Sequence, residues 1–146
     1  MTPAPDAGLD SISRAPHSGS APSRKTGTAM AAEAATFALA SATHFTVGFT
    51  DAAIPELLIA AVLGLGSAAV LARLPYAWGA AASTTSFAAL GTIVGLTIIA
   101  AGRQDAPDLA YHATILVALA ATLIALGRQR DAARRLTAMS RPPPRP

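Results

Sequence analysis

The sequence predicts an all-α polytopic membrane protein: a four-helix up-down transmembrane bundle with a disordered N-terminal tail and a basic C-terminal tail. Three observations predict it. The stretch from Ile54 to Leu74, IPELLIAAVLGLGSAAVLARL, has no charged residue between Leu57 and Ala72, and its only polar side chain there is Ser67. A helix of about 20 residues, rising about 1.5 Å each, crosses the roughly 30 Å hydrocarbon core of a bilayer. Second, the chain is 52% hydrophobic and only 13% charged, with a mean hydropathy of +0.44, where a soluble domain carries about 25% charged residues. Third, the apolar content is mainly Ala, and aromatics make up only 5%. An Ala- and Gly-rich core buries little area per residue, so a soluble globule of this size is hard to stabilise. In lipid the same small residues let helices approach closely.

Residues 1–27 are rich in Pro, Ser, Ala and Gly, with Arg14, Arg24 and Lys25 scattered among them. They show no helical or strand period and read as a disordered cytoplasmic tail. No apolar core follows a charged start near residue 10, and no twin-arginine pair is present, so a cleaved signal peptide is not expected. Residues 28–49, TAMAAEAATFALASATHFTVGF, form a weaker span interrupted by Glu33 and His44 and dotted with the hydroxyls of Thr36, Ser41, Thr43 and Thr46. With no Pro from Thr28 to Thr50, the segment reads as a first transmembrane helix facing its partners. The alternative is an amphipathic helix lying in the interface.

A tight turn is expected at 50–53, then the central span at 54–74. Arg73, Pro75, Tyr76 and Trp78 follow as a short loop, with Tyr and Trp as interfacial anchors. A third span at 76–101 carries the hydroxyls Ser83, Thr84, Thr85 and Ser86, which can bond neighbouring helices or their own backbone. Residues 102–107 turn, and a fourth span runs over 108–126. The 128–146 tail, RQRDAARRLTAMSRPPPRP, is basic and Pro-rich; its first half can extend the helix into water, whereas SRPPPRP cannot be helical.

Charge orients the spans. Arg24 and Lys25 precede the first, Arg73 follows the second, and Arg128, Arg130, Arg134, Arg135, Arg141 and Arg145 follow the fourth, while Arg103 is balanced by Asp105 and Asp108. By the positive-inside rule both termini and the Arg73 loop face the cytoplasm of a multi-pass cell-membrane protein. The net charge of +3 and pI near 10.2 thus speak for topology and anionic lipid rather than nucleic acid. The absence of cysteine excludes disulfides and thiolate metal sites.

Ionisable groups inside spans are functional candidates because burying them is costly. His44 and His112 both fall roughly 6–8 Å below the outer surface, and an up-down bundle sets the first and fourth helices side by side. The two histidines are therefore expected to face each other. Asp51, Glu56, Asp105 and Asp108 gather at that end, with Asp108 one turn before His112. Such a set suits a transition metal, axial ligation of haem, or a proton or cation relay. The plain alternative is that the imidazoles snorkel to water; no HExxH or CxxCH spacing names a cofactor. DAAIPE and DAPD each place Asp, Pro and an acid at a helix start, which capping and the helix dipole explain. Glu33 and Arg73 fall near the inner ends of their helices and either pair or snorkel. Gly91 and Gly95 form GTIVG, and Gly64 and Gly66 lie in the central span; these are expected helix-packing or dimerisation positions.

No phosphate-binding glycine loop, nucleophile elbow or metalloprotease motif occurs. The outer loops are a few residues each. The expected function is therefore non-enzymatic: a small structural or accessory subunit of a membrane complex, associating through Gly- and Ala-rich faces with other membrane proteins or with itself. The alternatives are a haem- or metal-binding redox component using His44 and His112, and a small oligomeric proton-coupled transporter using Glu33, Asp51 or Glu56.

Overall fold

The computed structural model describes residues 21–102 and 106–140. The expected tail over residues 1–20, the Arg103 and Asp105 pair of the third turn, and the closing prolines lie outside these. Four helices follow in order: α1 Arg24–Thr46, α2 Thr50–Leu71, α3 Ala77–Gly102 and α4 Ala106–Met139. Each boundary has a local cause. Ser23 caps α1, its Oγ accepting the Thr26 amide at 3.3 Å, so the helix begins four residues before Thr28. Gln129 of α4 fixes this cap. Its Oε1 accepts from the Ser23 amide at 2.9 Å, and its Nε2 donates to Thr26 Oγ1 at 2.8 Å.

The first turn is Val47–Phe49, not 50–53. Gly48 takes φ +75°, its amide donates to the Phe45 carbonyl at 3.2 Å, and the Phe49 amide donates to the His44 carbonyl at 2.8 Å. This is a Schellman ending on glycine. It frees Thr50 and Asp51 to form the first turn of α2, where an acid meets the positive end of the helix dipole. Pro55 lies inside α2 near its start. The α2 ending repeats the motif with Arg73 in the left-handed position, φ 55°. The Arg73 and Leu74 amides donate to the Val70 and Ala69 carbonyls, both at 3.0 Å. Trp78, expected in the loop, is already in α3. Its ring receives the Arg130 guanidinium at 4.0 Å from the centroid, a cation–π contact between α3 and α4. Helix α4 continues through the basic tail to Met139 because RQRDAARRLTAM has no Gly or Pro and is rich in helix formers. Its 34 residues rise about 51 Å, longer than the roughly 30 Å apolar core of a bilayer.

The buried faces follow the helical period. On α1 they are Met30, Glu33, Ala34, Phe37 and Ser41; on α2 Ala53, Glu56, Ile59, Ala60, Leu63, Ser67 and Val70; on α4 His112, Ile115, Leu119, Thr122 and Leu126. Helix α3 contributes a seam of small residues: Ala77, Ala81, Thr85, Ala88 and Thr92. Neighbouring helices come close to it for want of side chain. Ile59 of α2 and Leu119 of α4 belong to the same apolar cluster as Ala81 and Ala88.

The glycines mark the tight crossings. A Cβ on Gly66 would collide with Thr84 Oγ1 and meet Met30 Cε at 3.0 Å, one on Gly27 would meet Leu71 Cδ2 at 2.9 Å, and one on Gly91 would meet Ile59 Cδ1 at 2.7 Å. Gly64, expected at a packing face, has nothing within 4 Å; the contact belongs to Gly66, two residues on and so on the other side of the helix.

The outward faces are apolar. Leu39, Leu65, Leu90, Ile98 and Val117 are each more than 60% exposed. Three stretches are long and apolar enough to cross a membrane: Thr50–Leu71, Ala77–Ile98 and Ala106–Met139. An all-helical bundle with three such helices and greasy outer faces suggests membrane insertion.

Gly66→Leu should destabilise the bundle by about 1–3 kcal/mol through overpacking. Gly64→Leu should be tolerated without that loss. Thermal unfolding of both variants in mild detergent checks the contrast.

Candidate functional site

The buried stripe of α2 runs Ala53, Glu56, Ala60, Leu63, and that period turns Glu56 inward. The Schellman turn at Gly48 folds the end of α1 onto the start of α2. Ser41 Oγ donates to the Ala53 carbonyl at 2.7 Å, and His44 Nδ1 lies 2.7 Å from Glu56 Oε2. With the carboxylate ionised, the imidazole N–H donates. A charge-assisted bond of this kind contributes about 1.5–3 kcal/mol. The Glu56 side chain is 6% exposed and that of His44 18%, so the carboxylate lies inside and the imidazole at the bundle's edge. Phe49 packs edge-on against the His44 ring, centroids 5.6 Å apart. The second carboxylate oxygen of Glu56, Oε1, is buried with no hydrogen-bond partner.

His112 lies on the inward stripe of α4. Its Nδ1 is 2.9 Å from the Asp108 carbonyl and 3.1 Å from Asp108 Oδ1, one turn earlier. Nδ1 therefore carries the proton and donates to the carbonyl. The other face of the ring reaches α3, where a Cβ on Gly95 would stand 3.4 Å from His112 Nε2; glycine gives the imidazole its seat. Tyr111 stacks edge-on against His112 and Phe37, with centroids 5.1 and 6.3 Å away. The Tyr111 hydroxyl is buried without a partner.

These groups border a cavity of about 470 Å³ between α2, α3 and α4. Glu56, Asp51, Asp108 and His112 supply its polar rim, and Phe37, Phe49, Phe87, Ile59, Leu90 and Val94 supply much of its apolar wall. Thr92, Gly91 and Gly95 line the α3 side, where their small size opens the space. Asp51 is exposed at the mouth.

The two histidines thus share an end of the bundle through different carboxylates: His44 is held by Glu56 and His112 by Asp108. Only His112 is among the residues lining the cavity. Among the described residues no group of three or more His, Cys, Asp or Glu side chains converges to hold a metal ion. Haem ligation by the pair would have to break both Nδ1 contacts or use the two Nε2 atoms.

Glu33 is placed apart from this set, on the α1 stripe facing α4. Its Oε1 accepts from Thr122 Oγ1 at 2.7 Å, its Oε2 has no partner, and the residue is 6% exposed. Thr122, rather than Arg73, partners Glu33; Arg73 takes the left-handed position that ends α2. Thr122 and Tyr111 went unnoticed in the sequence. The signal for Thr122 was present, since a lone hydroxyl at position 122 interrupts the apolar 112–115–119–122–126 stripe.

The remaining polar groups of α1 are satisfied locally. Thr28, Thr36, Thr43 and Thr46 donate to the carbonyls of Arg24, Glu33, Leu39 and Thr43, three or four residues back in the same helix. No known protein family matches the chain, nor does any curated protein or solved structure.

Proposed function

We propose that this chain is a multi-pass membrane protein in which Glu56, held by His44, exchanges protons for a small solute bound in the adjoining cavity. The observation that carries the reading is the buried carboxylate itself. Its Oε2 is tied to His44, its Oε1 is buried with no partner among the described residues, and the residue lines a cavity of about 470 Å³. A buried ionisable group in a membrane helix is expensive, and a solute pathway or proton relay is its commonest use. The free oxygen can take a proton or a cation, but not both at once. Loading one therefore displaces the other, and His44 stabilises the anion between the two states. Asp108 and His112 at the rim offer a second acceptor pair towards water.

In this reading all four helices cross, in up-down order, with the termini at the cytoplasmic face. Its support is the register of contacts. Gly27 near the start of α1 meets Leu71 at the end of α2, and His44 near the end of α1 meets Glu56 near the start of α2. Gly66 meets Thr84, Gly95 meets His112, and Gln129 meets Ser23. Arg24, Lys25, Arg73, Arg128 and Arg130 then share one end, and Asp51, Glu56 and Asp108 share the other, as the positive-inside rule requires. Helix α1 is not among the three stretches apolar enough to cross by composition, yet its Glu33 and His44 meet partners within the bundle and Thr28, Thr36, Thr43 and Thr46 bond their own backbone. That satisfaction is what lets a polar helix lie in lipid.

A subunit role remains the second reading. Gly64 and Gly79 present bare backbone on open helix surface, with nothing within 4 Å of where a Cβ would stand, and such surface suits close contact with another membrane helix.

Single cysteines introduced at Lys25 and Val47, in a chain with none of its own, should react with an impermeant thiol reagent from opposite sides of the membrane. Labelling of both from one side would place α1 flat in the interface. In proteoliposomes carrying a pH gradient, a panel of inorganic cations, organic cations, sugars and organic anions should include a solute that collapses the gradient, and Glu56→Gln should abolish the effect. A folded protein that collapses the gradient with none of them overturns the exchange reading.

A further inference from the structure

The cavity wall specifies more than a carboxylate. Phe37, Phe49 and Phe87 stand around it, together with Ile59, Leu90 and Val94, and no Lys or Arg lines it among the described residues. Its volume of about 470 Å³ falls within the roughly 300–1,000 Å³ of small-molecule sites. Glu56 lines the cavity, is 5% exposed, and its Oε1 has no hydrogen-bond partner among the described residues. Asp51 and Asp108 add negative charge at the mouth, and the Asp108–His112 contact keeps that carboxylate oriented.

A bare inorganic cation would leave the apolar wall unused and would need several oxygen ligands, whereas the cavity offers one free carboxylate oxygen at depth. An anion would meet three carboxylates. A neutral apolar molecule would leave the Glu56 carboxylate without a counter-charge. An ammonium on an aromatic or branched apolar body satisfies both halves. Its N–H donates to the Glu56 carboxylate, the phenylalanine rings face its positive charge, and its body fills the wall between α2 and α3. That wall faces the same side as the exposed Leu58, Leu90 and Ile98, so a lipophilic ligand can arrive through the bilayer.

We infer that the cavity beside Glu56 is a binding site for a lipophilic organic amine in its protonated form. The inference rests on the exchange reading above and names its solute class. Binding is non-covalent: the ammonium forms a salt bridge with Glu56, and when Glu56 is protonated beforehand, that proton leaves to water.

The test is calorimetry of the full chain in detergent micelles with N,N-dimethyl-3,3-diphenylpropylamine, run in buffers of different ionisation enthalpy so that displaced protons are counted. The uncharged 3,3-diphenylpropanol is the comparison. The amine should bind saturably and at least tenfold more tightly than the alcohol. Glu56→Gln should weaken amine binding at least tenfold. Val94→Trp, a lipid-facing change that fills the wall without touching a carboxylate, should do the same while leaving thermal unfolding unchanged. Equal binding of amine and alcohol would make the cavity an apolar groove for acyl chains and overturn the inference. Amine binding indifferent to both variants would overturn it as well. Proton displacement by another solute without amine binding sinks the amine and spares the exchange. Amine binding with no proton displaced at any pH, including acid pH where Glu56 starts protonated, supports the site and sinks the exchange.

Discussion

A carboxylate held out of water needs a partner, and in this bundle the partner of Glu56 comes from a different helix. The 2.7 Å contact between His44 Nδ1 and Glu56 Oε2 makes the ends of α1 and α2 interdependent. It requires the Gly48 turn, because only a tight reversal brings residue 44 opposite residue 56. It also requires the α2 stripe that points Glu56 inward. Removing one member of such a buried pair leaves the other uncompensated, which costs more than the pair contributes. Glu56 also lines the cavity that His112 and the phenylalanines border.

The same principle governs α1 as a whole. It carries Glu33, Ser41 and His44 on one face, and each finds a partner on another helix: Thr122, the Ala53 carbonyl and Glu56. Thr26 accepts from Gln129 of α4, and the hydroxyls of Thr28, Thr36, Thr43 and Thr46 bond within the helix. The polarity that makes α1 a poor membrane segment by composition is therefore turned inward or satisfied locally. Helix α3 does the opposite. It brings almost no bulk to the interior, and its small-residue seam lets α2 and α4 close around it. One helix supplies the chemistry and another supplies the room.

Much of this was legible from the residues. The apolar run from Leu57 to Ala72 announced α2. The gathering of Asp51, Glu56, Asp108, His44 and His112 at one end followed from helix lengths and turn positions. What the sequence did not reveal was who pairs with whom. His44 and His112 share an end of the bundle, but depth does not fix rotation about a helix axis, and each imidazole is taken by a nearer carboxylate, Glu56 on the next helix and Asp108 one turn earlier. The first turn falls at 47–49 rather than 50–53: Asp51 reads as a cap and Pro55 as the first turn of α2, but Gly48 ends α1 and lets α2 begin at Thr50. Gly64 and Gly66 were indistinguishable as letters, and only the rotation of α2 assigns the crossing to Gly66. The continuation of α4 to Met139 depended on the absence of any breaker before the prolines, which propensity alone permits but does not require.

The measurement that bears most directly on this account is infrared difference spectroscopy of the protein in lipid as the pH is stepped. If Glu56 is the exchange site, a carboxylic-acid carbonyl band should appear and vanish reversibly. It should be missing in Glu56→Gln and displaced in pH in His44→Ala, with the Glu33→Gln protein retaining it. A spectrum with no titrating carboxyl band, or a band that survives Glu56→Gln unchanged, would contradict the assignment of Glu56 as the group on which this bundle is built.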